Sequence, residues 1–482
     1  MIQKIKYIGL AVFIITAFFS VGHIQSDEYF QIMEFAQYKL GQINASELPW
    51  EFNERMRPSL QPWLAYLFIK IFHFIGLENP FYIATIFRLL SAILMWSIFT
   101  RLNDYIVNKY FKESKWQNIF YASILLLWFV PFISVRFSSE NYAALFLLLS
   151  LLTLTKTRSY GNLIFIGFTL GISFLFRYQM GIAILAIYAH LLFIDKTKFL
   201  KVLTSGSIII LIIALAIYLD SLFYNQLTFA PLNYLKLNLI DGKAANFGTS
   251  PFFAYLYLFL AFAAPPISFI LLASYTKGVI ILKKHLFVWV SIFFILIHSL
   301  IGHKEVRFLF PIMYLFIFIA IYGLMTYFKN KEIKKWHRRL FRVSFVINFL
   351  LLVFMMFKPL NGTVKLYGFL YKNVSEKNNL IISTSKETYH FLVDLKSTFY
   401  RPKNITSLAI YSSENIKNYL IKNNIKTAFL VHNQLYFDEK FDNYEIKRVY
   451  SAYPSWIKSI KFIDWQKAIR TKSVYLLTQK KK

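Results

Sequence analysis

The sequence predicts an α-helical protein that crosses a membrane many times, with a small α/β domain at its carboxyl end. Hydrophobic residues fill 57% of its 482 positions and charged residues only 16%, a balance foreign to ordinary soluble domains. Apolar runs long enough to span a bilayer as helices recur over the first three quarters of the chain. Basic residues gather in every second interval between those runs, as cytoplasmic loops do.

We read about eleven spans: 7–22, 80–100, 118–135, 140–155, 161–176, 179–195, 202–219, 252–276, 286–302, 308–328 and 343–357. The first lacks a small-residue cleavage site and runs straight into Asp27-Glu28, so it reads as a retained helix, not a signal peptide. Lys4 and Lys6 precede it. Arg101, Lys109, Lys112 and Lys115 follow the second span, and Lys156 with Arg158 the fourth. Lys196, Lys198 and Lys201 follow the sixth, Lys277, Lys283 and Lys284 the eighth, and the basic loop 329–342 the tenth. Eleven spans put all of these on one side, the cytoplasm, with the amino terminus inside and the carboxyl terminus outside.

Three larger segments then lie outside. The first, 23–79, holds Asp27-Glu28, Pro49-Trp50-Glu51-Phe52, Arg55, Arg57 and Pro58. Its second half, 62–76, is amphipathic and aromatic, like helices that lie in the interface; counting it as a span would reverse every later loop. The second, 220–251, is rich in aromatic and hydrogen-bonding residues. The third, 358–482, alternates short apolar strands (Leu380 to Ser383, Ala428 to His432, Tyr444 to Tyr450, Val474 to Thr478) with helical stretches at Lys386 to Leu395 and Ser413 to Ile421, the pattern of a small α/β domain. The domains are therefore 1–357 and 358–482.

The net charge of +30 calls for no nucleic acid. Part is the inside bias, and the tail 358–482 adds 22 Lys plus Arg against 9 Asp plus Glu, a basic face suited to solvent or to anionic membrane lipids. With no cysteine, disulfides, thiolate nucleophiles and zinc-thiolate sites are excluded. No phosphate loop, Gly-rich fingerprint or metal-ligand spacing occurs in the tail, and His390 and His432 stand alone.

The densest chemistry is His303-Lys304-Glu305-Val306-Arg307-Phe308, ending in Pro311 and set between two membrane-length runs. Charges are expensive in mid-membrane, so such a cluster belongs at the interface or in a polar cavity. A helix-anchoring cap is the bland reading. Asp27-Glu28, on the same side, favours a functional one.

These motifs, in order over most of residues 20–315, resemble the family 22 glycosyltransferases, membrane mannosyltransferases. His303-Lys304-Glu305-Val306-Arg307-Phe308 resembles that family's signature His-Lys-Glu-x-Arg-Phe. Asp27-Glu28 resembles its first-loop acidic motif, followed by Trp50-Glu51 and Arg57-Pro58-Ser59. Asp220 through Tyr224 and Asn246 through Pro251 fall where the family has related sequences, and Arg177 resembles its intramembrane arginine. Ser26 stands where a proline commonly precedes the acidic pair, and Phe52 where a second tryptophan is usual.

The resemblance implies a GT-C fold and inverting transfer of mannose from a polyprenyl-phosphate-mannose donor to a glycolipid or glycan acceptor. Asp27 would take the acceptor's proton, with Glu28 second, since adjacent residues do not share a face. His303, Lys304, Arg307 and Arg177 would stabilise the leaving lipid phosphate, and Glu305 would orient one of them. Trp50, Glu51, Arg57, Asp220 and Tyr224 would support the site. The lipid-phosphate-sugar is a co-substrate, and neither cofactor nor metal is implied. A transporter or lipid flippase is the alternative, although no internal repeat is visible; a scaffold would leave both charged motifs unexplained. Lys-, Asn-, Ile- and Phe-rich usage points to a bacterial inner membrane with an outward-facing site, with the luminal face of the endoplasmic reticulum as the alternative.

Overall fold

The structure is a computed structural model that describes all residues except 157–158, 330, 376–378, 393–394, 434–436, 438, 453–471 and 481–482. Arg158, counted above among the inside charges, lies outside the described residues. The chain folds as two compact units. The first comprises Met1–Ser20, Glu54–Phe68 and Ile83–Lys358; the second comprises Val21–Asn53, Ile69–Tyr82 and Pro359–Lys482.

Among the described residues, five helical stretches are long and apolar enough to cross a membrane: Ile2–Phe19, Pro80–Tyr110, Phe199–Tyr224, Val306–Phe328 and Lys335–Asn373. Six shorter apolar helices join them, including Ser139–Leu154, Tyr160–Phe176 and Leu286–Leu300. The stretch read as interfacial, 62–76, is the helix Leu60–Phe74.

Two predicted spans are each broken in two. The run 118–135 forms Ser114–Leu126 and Phe129–Ser134. Its interruption is satisfied by one side chain: Asn348 donates its amide to the Leu126 carbonyl at 2.8 Å and accepts from the Trp128 N–H at 2.9 Å. Pro131 then falls in a first turn, where its missing N–H costs nothing. The run 252–276 forms Ala254–Ala263 and Ile267–Ile281, parted at Pro265-Pro266 with Ala264 at φ 62°. Apolarity carries no record of such breaks, because both halves are equally apolar.

Helices Ile267–Ile281 and Met313–Phe328 approach with backbone nearly touching. A Cβ on Gly323 would lie 2.0 Å from the Ser274 carbonyl oxygen, and one on Gly278 would lie 2.1 Å from that of Ile319. Small residues at such a crossing are what permit close packing in the absence of a hydrophobic drive between helices. Gly323→Ala is therefore expected to destabilise the first unit by about 1–3 kcal/mol, the usual cost of overpacking. A thermal melt of the purified protein in detergent, compared with wild type, checks it.

In the second unit, strands β1 (Leu380–Ser383), β4 (Thr406–Ala409), β5 (Thr427–His432), β6 (Tyr444–Ser451) and β7 (Ser473–Gln479) form one sheet of order β4-β1-β5-β7-β6. The first three run parallel, and β7 and β6 are antiparallel. Helix Ser413–Lys422 covers it, burying Ile416 and Leu420 against Leu380, Ile382, Leu430 and Leu477. The predicted helix Lys386 to Leu395 is not one. Its described residues make a turn and the antiparallel pair β2 (His390–Leu392) and β3 (Leu395–Lys396), while 393–394 lie outside the described residues. Tertiary packing overrides its helical pattern: Tyr389 is buried and stacks on Tyr367 at 4.7 Å, whose hydroxyl donates to the Thr388 carbonyl at 2.9 Å. Helix Gly362–Asn373 and β4 were not anticipated.

Of the segment 23–79, residues 23–53 and 69–79 belong to this second unit, and 54–68 to the first. The Leu360 N–H donates to the Val21 carbonyl at 2.9 Å, and Gly22, at φ +105°, leaves no room for a Cβ against the Asn361 backbone.

Candidate functional site

The first unit assembles most of the predicted cations around two carboxylates. Helix Ser139–Leu154 is capped by Ser138, whose hydroxyl accepts from the Asn141 N–H. Glu140 sits in its first turn, where the helix dipole favours a negative charge, and is only 3% exposed. Helix Tyr160–Phe176 stops at Arg177, which turns extended (φ −155°, ψ 112°) before Met180 starts the next helix. That break aims Arg177 at Glu140, with Nη1 to Oε1 at 2.5 Å.

Arg307 enters from the tight turn Val306–Ile312 and approaches the same Glu140 oxygen at 3.7 Å. It is also gripped in fork geometry by Glu305, Nε to Oε2 at 2.7 Å and Nη2 to Oε1 at 3.0 Å. Such two-point contacts fix a guanidinium's plane as well as its position. Both guanidiniums lie over the Phe308 ring, at 5.2 and 5.5 Å. His303 faces Glu305 through Nε2 at 3.0 Å and the Gly248 carbonyl through Nδ1 at 3.1 Å. Lys304 is buried and donates to the carbonyls of Ser250 and Ile301, at 2.9 and 2.6 Å. One of its three protons thus pins the 248–250 loop, and a second closes its own turn at Ile301.

Beside this cluster lies an apolar cavity of about 290 Å³, lined among others by Phe129, Tyr255, Phe259, Val306, Leu309 and Phe310. Val306 is the residue between Glu305 and Arg307, so one tight turn supplies both a cavity wall and the charges.

A second polar group is anchored by the residues after Arg177. Tyr178 packs on Tyr234, the Gln179 amide donates to the Tyr234 hydroxyl, and the Arg57 guanidinium lies 5.8 Å from the same ring. Tyr224 donates to the Arg57 carbonyl at 2.9 Å, and buried Asp220 accepts from the N–H and hydroxyl of Ser59 at 2.9 and 2.6 Å. Asp220 and Tyr224 thus hold the 57–59 turn by its backbone.

The second unit contains Asp27, Glu28, Trp50 and Glu51. Asp27 and Glu28 open the helix Ser26–Tyr29 and are half-buried. Glu28 accepts from the Ile24 N–H at 3.3 Å, closing its own turn. Glu51 is buried and accepts from the Gln31 side chain at 3.1 Å. Phe52 packs edge-on against Phe35 and Tyr38, at 5.1 and 4.8 Å, so the departure from tryptophan is a packing choice within this unit.

Two carboxylates escaped the sequence reading. Glu140 had a legible signal: a charge opening an apolar run, behind the capping pattern Ser138-Ser139. Glu34 had none. It is fully buried, and its partners Thr398 and Phe399 lie far away in the chain.

A model of the Alg9-like mannosyltransferase family matches residues 5–396. The chain belongs to that family. Among relatives of the family, GPI mannosyltransferase 3 of Yarrowia lipolytica is 26% identical over 352 residues, covering 69% of this chain and 65% of the relative. GPI alpha-1,2-mannosyltransferase 3 of Bos taurus is 21% identical, covering 70% and 61%. The chain thus spans about two thirds of the length of the curated relatives it matches. The fold matches ArnT from Cupriavidus metallidurans, solved bound to undecaprenyl phosphate, with TM-score 0.58 at 9% identity over 98% of this chain and 97% of that one. The fold is therefore of GT-C type, and with its long apolar helices the protein is an integral membrane protein. These matches give the transporter reading no support.

Proposed function

We propose that the protein transfers mannose, with inversion, from a polyprenyl-phosphate-mannose donor to a glycolipid or glycan acceptor on the non-cytoplasmic face of its membrane. One observation carries the reading. Two guanidiniums, Arg177 and Arg307, are preset by the buried Glu140 and the half-buried Glu305 beside an apolar cavity. A lipid phosphate is the ligand that pairs those features, its head needing cationic donors and its tail an apolar wall.

In the reaction, the acceptor hydroxyl attacks the anomeric carbon, the bond to the donor phosphate breaks, and the electron pair leaves on that phosphate. Arg177, Arg307 and His303 stabilise the growing charge; donors placed in advance need no reorganisation at that moment. Glu140 and Glu305 hold the guanidiniums in plane, and Lys304 acts more through the loop it pins. Asp27 takes the acceptor proton. Glu28, engaged with the Ile24 N–H, is second. Arg57, Asp220 and Tyr224 shape the site from the 57–59 turn, and Trp50 and Glu51 from the first loop. With cations serving the leaving group, no step calls for a metal or other cofactor.

We keep about eleven spans, the amino terminus inside and the domains 1–357 and 358–482. Residue usage favours a bacterial inner membrane, while the fungal and bovine relatives pull towards the endoplasmic reticulum. Purified protein given polyprenyl-phosphate-[3H]mannose and a membrane glycolipid extract is expected to release polyprenyl phosphate and label the glycolipid. Intact donor after long incubation sinks the reading. Sidedness is tested in the cysteine-free chain with Ser26→Cys, Lys304→Cys and Ser413→Cys, all expected to react with an impermeant thiol reagent from outside, and Ser114→Cys only after permeabilisation. Labelling of positions 26 and 304 from opposite faces would defeat the mechanism.

A further inference from the structure

We infer that the segment Ser397–Tyr400 is a positioning element for the proposed base, holding the helical stretch that carries Asp27 and Glu28 through the buried carboxylate of Glu34. The inference rests on the assignment of Asp27 made above.

Glu34 is 0% exposed. Its Oε1 accepts both the Thr398 and Phe399 backbone N–H groups, at 2.8 and 3.1 Å, and its Oε2 accepts the Thr398 hydroxyl. A buried carboxylate is costly unless donors surround it, and these three donors all come from two adjacent residues. Burial pushes the Glu34 carboxyl above its usual range, and the Thr398 hydroxyl, the Tyr29 hydroxyl and the Phe399 and Thr398 amides pull it back. The contact is therefore mutual: 398–399 supplies the donors, and Glu34 satisfies two amides that would otherwise be buried and unpaired.

Glu34 lies two turns beyond Asp27 in one helical stretch, Ser26–Tyr29, a π turn Phe30–Glu34 and Phe35–Lys39. Single π turns occur often at functional sites, where a widened turn re-aims neighbouring side chains. The grip extends towards the acidic pair. Tyr29, next to Glu28, stacks on Tyr400 at 5.5 Å and 7°, and Tyr400 stacks on Phe81 at 4.8 Å. An ion pair of Lys396 with Glu47 and a 3.0 Å contact of Asn361 with His23 tie the same segments on either side. The family match ends at residue 396, so Glu34 is held by chain just beyond it. This gives the carboxyl-terminal domain a task in the reaction.

The test uses the purified full-length protein and three variants. In Glu34→Gln the amide oxygen still accepts both backbone N–H groups and the amide nitrogen donates to Thr398 Oγ1, so kcat is expected within about threefold of wild type. Glu34→Leu removes every acceptor. Its kcat is expected to fall by about tenfold or more, since small misplacements of a reacting group are costly. The KM for donor, set by the cations of the first unit, should stay within about twofold, and hydrogen–deuterium exchange of 26–39 should accelerate. Thr398→Val, which keeps shape and fold, should lower kcat in the same direction but less, guarding against a Glu34→Leu chain that does not fold. Unchanged kcat in both Glu34→Leu and Thr398→Val overturns the inference, as does unchanged exchange of 26–39. A wild-type protein that transfers no mannose overturns the function itself, and the exchange readout keeps the two failures apart.

Discussion

Asp27→Asn is expected to abolish mannosyl transfer, lowering kcat by about 10²–10⁴-fold, the usual worth of a general base. The amide keeps the size and most of the hydrogen bonding of the carboxylate but cannot take the acceptor's proton. Donor KM should change little, since the groups assigned to the phosphate are elsewhere in the sequence. Glu28→Gln should be milder, because its carboxylate is committed to the Ile24 N–H at 3.3 Å, a bond the amide oxygen can keep. Steady-state kinetics with both variants decide the assignment. Turnover within a few-fold of wild type in Asp27→Asn removes it from the role, and the reverse ranking transfers the role to Glu28.

Arg307→Ala is expected to raise donor KM and lower kcat, together costing about 10²–10³-fold, as for loss of one donor to a developing anion. The geometry adds a second cost. Without Arg307, Glu305 loses a two-point partner and Glu140 loses one of its two guanidinium neighbours, leaving negative charge where an anionic headgroup must bind. Arg307→Lys should rescue little, since an ammonium cannot reproduce the fork. Glu140→Gln should follow the same pattern through Arg177, with fold retained. Lys304→Ala should act less on donor affinity, because its ammonium already serves Ser250 and Ile301. Binding of a polyprenyl monophosphate to each variant separates affinity from chemistry. Equal affinity in wild type, Arg307→Ala and Glu140→Gln would reduce the 303–307 cluster to a helix anchor.

What was legible in the sequence was local. His303, Lys304, Glu305 and Arg307 are near neighbours on one turn, so their meeting needed no knowledge of the fold, and the structure finds Glu305 between His303 and Arg307. Strands β1, β5, β6 and β7 were visible as short β-branched and aromatic runs, and Ser413–Lys422 as an amphipathic helix. The stretch 386–395 was misread because its residues suit a helix locally, while burial of Tyr389 against Tyr367 selects a turn and a strand pair.

Hydropathy and composition were enough to read a membrane protein of many apolar helices, and the order of its short motifs was enough to place it in its family. Those properties follow from composition and from residues adjacent in the chain, where hydropathy and spacing act directly. It took the fold to bring Glu140 against Arg177 and near Arg307, Asn348 into the break at 127–128, and Thr398 and Phe399 onto Glu34. A buried charge or an open backbone amide must find a partner, but nothing in the local sequence says where. The partner is whichever group the fold delivers into hydrogen-bond range, and for Glu34 it came from the far end of the chain.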